Sequence, residues 1–195
     1  MSKDWTGSQA SLFKTIGATG HSIQTRETND YYATDPKAMH ALLEHESFNH
    51  NIWENAVGGG HLASVLTDYG YKVRASDLID RGYPETLILN FFEYEDKWHG
   101  DIVTNPPYKF AQKWAEKSLD IIDDGAKLAM FLKLTFLESK GRKVLFEKHP
   151  PKTVYVFSER ILCAKNGVFK GGSAVAYAWF VWEKGFKGDP IIKWL

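Results

Sequence analysis

The chain has one cysteine, Cys163, among its 195 residues. A single thiol excludes an internal disulfide and any metal site built on paired cysteines, and it suits a reducing compartment. No apolar run approaches the ~20 residues needed to span a bilayer. The opening MSKDWTGSQA has no signal-peptide core, so no membrane association and a cytoplasmic location are expected. There is no Gly-Lys-Ser/Thr, which excludes a phosphate-cradling P-loop, and no His-x-Glu. The histidines do not make up for this: His40, His45 and His50 recur at intervals of five, which does not align them on a helix. No metal is therefore expected. Net charge is also lacking, being zero at pH 7, which argues against strong nonspecific binding to nucleic acid.

The zero hides an uneven distribution. Residues 1–100 carry 8 basic and 14 acidic side chains, and residues 101–195 carry 16 and 10. A basic second half is a hint of an anionic partner on that side; solvated lysines on helices would give the same count. Hydrophobic residues at 44% and charged residues at 25% are ordinary for a globular protein. The length suits one domain with a full core.

Gly, Ser and Thr without periodicity predict a flexible arm over 1–28, leaving 29–195 as the folded domain. Asp35-Pro36 reads as an N-cap with proline at the first helical position, opening a helix whose apolar face is Met39, Leu42 and Leu43. Strands are expected over Asn51–Ala56, Tyr71–Ser76, Asp101–Thr104, Lys127–Leu134, Thr153–Ser158 and Ala174–Glu183, with a short one near Leu87–Leu89. Helices are expected over His61–Tyr69, Phe110–Ile122 and Gly141–Lys148. Alternating strands and helices specify an α/β sheet with parallel strands at its centre. The last two strands have no helix between them, which makes them an antiparallel pair at one edge.

Asn105-Pro106-Pro107-Tyr108 follows the apolar run Asp101–Thr104. Two prolines remove two backbone donors and fix φ, ending both strand and helix pairing. The result is a rigid loop at the carboxyl end of a strand, where ligands bind in open α/β sheets. An amide, a carbonyl and an aromatic ring held together suit a planar group bearing an NH2. The plainer alternative is a turn with a packing tyrosine.

Glu54-Asn55-Ala56-Val57-Gly58-Gly59-Gly60 stands where the first long strand turns into a helix. Glycines allow close backbone approach to a ligand, and the helix start offers free N–H groups; a tight turn would need the same residues. Asp77, at the end of the next strand and about 20 residues on, can accept hydrogen bonds from ribose hydroxyls or cap a turn.

The order of glycine turn, acidic strand end and proline loop resembles the class I S-adenosylmethionine-dependent methyltransferases. Within them it is most similar to N6-adenine DNA methyltransferases of small phage or prophage type. The match covers about Asp30 to Glu183, with Asn105–Tyr108 fitting the family's (Asn/Asp/Ser)-Pro-Pro-(Tyr/Phe/Trp) in full. Glu54–Gly60 fits the glycine motif with Asn55 in place of proline, and Tyr31–Pro36 resembles the segment folded over the methionine end of the cofactor.

The resemblance implies a Rossmann-like fold with a mostly parallel seven-stranded sheet and an antiparallel strand pair at its C-terminal end. It implies S-adenosylmethionine as cofactor, held by Tyr32, Thr34, Glu54, Gly58, Gly60, Asp77, Leu78, Asn90 and Phe91. It also implies a catalytic set of Asn105, Pro106, Pro107 and Tyr108. The Asn105 amide oxygen and the Pro106 carbonyl would accept hydrogen bonds from the exocyclic amine, and Tyr108 would stack on a flipped base.

Two positions depart from the family pattern. Asn90 stands where an aspartate usually bonds the adenine amine of the cofactor, with Phe91 to pack on the adenine, and Asn55 loosens a turn the family keeps stiff. After the last strand only Lys184–Leu195 remains, too little for a separate target recognition module. Nucleic-acid contact is therefore expected from Lys109 and Lys113 beside the proline loop, continued by Lys117, and from Lys165, Asn166 and Lys170 between the last strands; the other source is a partner protein that supplies recognition. DNA is favoured over RNA. RNA adenine, a protein glutamine amide, and a non-catalytic binding homologue are the alternatives.

Overall fold

The alternation of apolar residues along two strands determines how the layers assemble. In β5 (Asp101–Thr104), Ile102 packs to one side and Val103 to the other. In β6 (Lys127–Lys133), Leu128, Met130 and Leu132 face one side, and Ala129 and Phe131 the other. A strand that is apolar on both faces must be covered on both, so these two occupy the centre of a three-layer α/β arrangement. The computed structural model describes residues 32–164 and 175–195.

On one face lie α3 (Ala111–Ile121) and α4 (Lys140–Lys148), through Trp114, Ala115, Leu119 and Leu145. On the other lie α1 (Pro36–Leu43) and α2 (His61–Asp68), through Met39, Leu42, Leu62, Val65 and Leu66. Each such side chain, fully buried, contributes roughly 1.5–3 kcal/mol of transfer free energy. Asp35 caps α1 by accepting from the Lys37 N–H at 3.0 Å, with Pro36 at its first position, as the sequence implied. The buried tryptophan N–H groups are satisfied, Trp53 by the Ser76 hydroxyl and Trp179 by the Ala38 carbonyl, each at 2.8 Å.

The remaining strands are β2 (Asn51–Glu54), β3 (Lys72–Asp77), β4 (Leu87–Ile88), β7 (Thr153–Val156), β9 (Tyr177–Glu183) and β10 (Ile191–Trp194). Among the described residues the main sheet runs β10-β7-β9-β6-β5-β2-β3-β4. β6, β5, β2, β3 and β4 are mutually parallel, and β9 is antiparallel to both β6 and β7. This is a Rossmann-like arrangement, as expected, with the antiparallel pair present as β7 and β9.

The expected count of seven strands is corrected to eight. β10 pairs in parallel with β7 and forms the edge, so the β7–β9 pair lies one strand inside it. All four residues of β10 are exposed, so its sequence carries no alternating apolar signal. The strand expected from Ala174 begins at Tyr177; residue 174 and the arm over 1–28 lie outside the described residues. A second, two-stranded sheet joins β1 (Ala33–Thr34) to β8 (Cys163–Ala164), pairing Thr34 with Cys163. No described helix is long and apolar enough to cross a membrane.

Candidate active site

A cavity of about 930 Å3 opens where the chain leaves the carboxyl ends of β2, β3, β4 and β5. Parallel strands all end on that side, and their outgoing loops diverge at the switch between β2 and β5, which leaves a crevice. Glu54 to Val57 line it after β2, Asp77 to Ile79 after β3, Leu89 to Phe92 after β4, and Asn105 to Phe110 after β5. Tyr32 and Thr34 close it from β1, and Lys113 and Trp114 border it from α3.

The proline loop ends β5 and becomes a single 3-10 turn, Tyr108–Phe110, that leads into α3. Asn105 donates its amide hydrogens to the Thr34 hydroxyl at 2.7 Å and to the Tyr32 carbonyl at 3.2 Å. A backbone carbonyl only accepts, so the NH2 must face Tyr32, and this fixes which end of the amide points where. The Asn105 Oδ1 is buried with no donor. An amine that reaches it meets an acceptor for which water does not compete.

Tyr108 packs beside Tyr177, with centroids 6.0 Å apart, and its hydroxyl lies 3.4 Å from the Cys163 sulfur. The Lys133 ammonium sits 5.2 Å from the Tyr108 ring centroid. Burial pushes the Tyr108 hydroxyl well above its usual range, and Cys163 and Tyr177 add to the rise. Burial also raises the Cys163 thiol to about 11. Both therefore stay protonated at neutral pH, as a ring platform and its neighbour rather than as nucleophiles.

Glu54, which ends β2 beside Thr104 of β5, also lines the cavity and is 1% exposed. Burial raises its carboxyl to about 8; Thr104 and the Ala56 N–H oppose the rise, and Asp77 reinforces it. Among the described residues no cation contributes to this shift. Asp77 accepts from the Gly58 N–H at 2.8 Å and the Ile79 N–H at 3.1 Å, so it clamps the glycine turn as well as lining the cavity.

The glycines also have a structural use. Gly58 and Gly60 are not among the described residues lining the cavity. Gly60 has φ +81°, and a Cβ there would overlap the Tyr83 ring. The turn therefore needs glycine to admit a tyrosine of the loop after β3.

Asn55, which the motif comparison marks as a departure, is a structural part of the site. It is 1% exposed and lines the cavity, and its Oδ1 accepts from the Trp114 Nε1 at 2.8 Å. The bond ties the glycine turn to α3, which supplies by another route the stiffness of a proline. Because Trp114 only donates, the Asn55 NH2 must face away from it, and Nδ2 is buried without a partner. Asn55 and Trp114 were not among the sequence candidates; a buried asparagine beside a glycine turn was the available signal.

Asn90 caps the 3-10 turn Phe91–Glu93: its Oδ1 accepts from the Phe92 N–H at 3.2 Å, and its Nδ2 donates to Glu93 at 2.8 Å. Phe91 is stacked on Trp114 at 4.7 Å, so the more open ring is Phe92. Leu78 is exposed at the rim, as are Lys109 and Lys113. Lys109 lies on the 3-10 turn and not on α3, with its ammonium 5.3 Å from the Phe110 ring centroid. Lys165, Asn166 and Lys170 lie outside the described residues. No group of three His, Cys, Asp or Glu among the described residues is placed to hold a metal ion.

No family model and no curated protein matches the sequence. Solved structures do match in shape. A protein described as a modification subunit of a type I restriction enzyme from Vibrio vulnificus superposes with TM-score 0.58 at 14% identity over 84% of this chain. The chain spans 47% of that protein's length. The 23S rRNA methyltransferase ErmE matches with TM-score 0.54 at 18% identity, over 82% of this chain and 71% of its own. A SAM-dependent O-methyltransferase from Thermotoga maritima matches with TM-score 0.51 at 16% identity, over 86% and 71%. At these identities the likeness is one of fold.

Proposed function

We propose that this protein transfers the methyl group of S-adenosylmethionine to the exocyclic amine of adenine in DNA. The observation that carries the reading is the Asn105 carboxamide: its NH2 is tied to Thr34 and Tyr32, and its oxygen is buried without a donor. An aminated planar ring supplies that donor, the Pro106 carbonyl takes the second hydrogen, and Tyr108 offers a stacking face. Holding both N–H bonds to acceptors aims the nitrogen lone pair at the methyl group, so rate comes from orientation and fixed dipoles.

The remaining lining residues fit the cofactor. Glu54 is a buried carboxyl without a cation, and the methionine end carries an ammonium. Asn55 Nδ2 is a buried donor without an acceptor, available to an oxygen or ring nitrogen of the same molecule. Asp77 keeps lone pairs for ribose hydroxyls, and Leu78, Phe91, Phe92 and Asn90 border the place for the adenine. When bound, S-adenosylmethionine supplies an electrophilic methyl on a sulfonium. The chain supplies the binding, the alignment and the exclusion of water.

Nucleic acid is preferred over protein as the acceptor because Lys109 and Lys113 stand exposed at the rim beside the proline loop, within a basic second half, and the motif resemblance favours DNA over RNA. The test incubates purified protein and methyl-labelled cofactor with equal amounts of adenine-containing DNA, RNA and a glutamine-bearing protein. Label in DNA N6-methyladenine, lost at least about 100-fold in Asn105→Ala with cofactor affinity retained, is the expected result. Label confined to RNA or protein replaces the acceptor, and no label in any of them removes the activity.

A further inference from the structure

The acceptor side of the cavity depends on two strands of two residues each. β1 and β8 pair antiparallel, with Thr34 opposite Cys163, and the Asp35 N–H donates to the Leu162 carbonyl at 3.1 Å. Neither strand belongs to the main sheet. Thr34 is 3% exposed and meets the Asn105 NH2 at 2.7 Å, the shorter of that group's two bonds. Cys163, its partner across the ladder, lies 3.4 Å from the Tyr108 hydroxyl. One strand pair thus touches both side chains that would hold the acceptor, Asn105 at its amine and Tyr108 at its ring.

We propose that Thr34 is a positioning residue for the amine acceptor, fixing the Asn105 carboxamide so that its oxygen is the free end, rather than a cofactor contact. The inference rests on the reading of Asn105 given above. A carboxamide on one rotatable bond can present either end to a ligand, and the wrong end offers an amine a donor in place of an acceptor. The Tyr32 carbonyl at 3.2 Å opposes that reversal, but a single long bond leaves the plane of the amide free to rock. The Thr34 hydroxyl supplies the second fixed point.

The variants are Thr34→Val, which keeps the shape and removes the hydroxyl, and Thr34→Ser, which restores it. Three quantities are read: the side-chain amide proton resonances of Asn105, cofactor affinity by calorimetry, and single-turnover methyl transfer to adenine DNA. In Thr34→Val the Asn105 amide protons are expected to shift and to exchange faster with water. Transfer is expected to fall between about 10-fold and 100-fold, the scale of a misplacement near 1 Å, with cofactor affinity within about twofold of wild type. Thr34→Ser is expected to recover most of the transfer.

Unchanged Asn105 resonances in Thr34→Val overturn the proposal, as does unchanged transfer. A loss in cofactor affinity that accounts for the loss in transfer also overturns it and returns Thr34 to the cofactor. Wild-type protein that methylates nothing removes the activity proposed above, while the Asn105 resonances still decide the contact.

Discussion

If Glu54 receives the cofactor's ammonium as proposed, cofactor binding releases a proton. Burial raises the carboxyl from its ordinary value of 4.5 to about 8, so at pH 7 about nine-tenths of ligand-free molecules hold the proton. A ligand that brings an ammonium to this carboxyl favours the carboxylate and expels that proton. S-adenosylmethionine binding at pH 7 is therefore expected to release about 0.9 proton. Affinity is expected to rise about tenfold from pH 6 to pH 7 and to level off near pH 8.

Calorimetric titration in several buffers of different ionisation enthalpy reads the released proton directly, as the slope of observed heat against buffer enthalpy. Glu54→Gln should bring the slope to zero and weaken binding. The ligand-free protein should show the opposite trend. Its folded state keeps a proton that the unfolded chain loses above 4.5, so stability falls as pH rises from about 4.5 to 8, by a few kcal/mol, and then stays level. A zero slope in the wild type at pH 7, or a slope that survives Glu54→Gln, refutes the reasoning.

Other substitutions test separate parts of the site. Gly60→Ala forces a side chain to φ +81° against the Tyr83 ring and should lower stability by about 1–3 kcal/mol in denaturant unfolding, with Tyr83→Ala restoring part of the loss. Asn55→Pro restores the family residue but leaves the Trp114 Nε1 buried without an acceptor, so it should destabilise by about 1–3 kcal/mol and weaken cofactor binding. Equal or higher stability would mean that the bond to α3 does not stiffen the turn. Lys133→Met removes the cation beside Tyr108; acceptor DNA should bind less tightly, with a salt dependence shallower by about one phosphate contact. Cofactor affinity should be unchanged in that variant.

Much of the fold was legible in the sequence because its signals are local. Asp101–Thr104 is a strand at the bounds its apolar run implied, Asp35-Pro36 opens α1, and the two prolines end β5 where they stand. β10 was illegible because it borrows its order from β7 and has no buried face to show as alternation. The site divides in the same way. The proline loop, Glu54, Asp77 and the turn after β4 could be placed from motif spacing, and they do line one cavity.

What spacing could not show is which atoms are already engaged. The Trp114–Asn55 bond, the Tyr83 ring over Gly60 and the Thr34–Asn105 bond all join residues far apart in sequence. Each changes the role of a residue that the motif had named or questioned. Asn55 stiffens the turn, Gly60 admits a ring, and Thr34 meets the Asn105 amide as well as the cavity.

The central claim is that the free Asn105 oxygen receives the amine of a DNA adenine. Nucleoside mass spectrometry of DNA and RNA from cells expressing the wild type and Asn105→Ala tests it most directly. N6-methyladenine in DNA that appears with the wild type and vanishes with Asn105→Ala is the predicted result. DNA without N6-methyladenine, alongside an Asn105-dependent methyl mark in RNA, would contradict it.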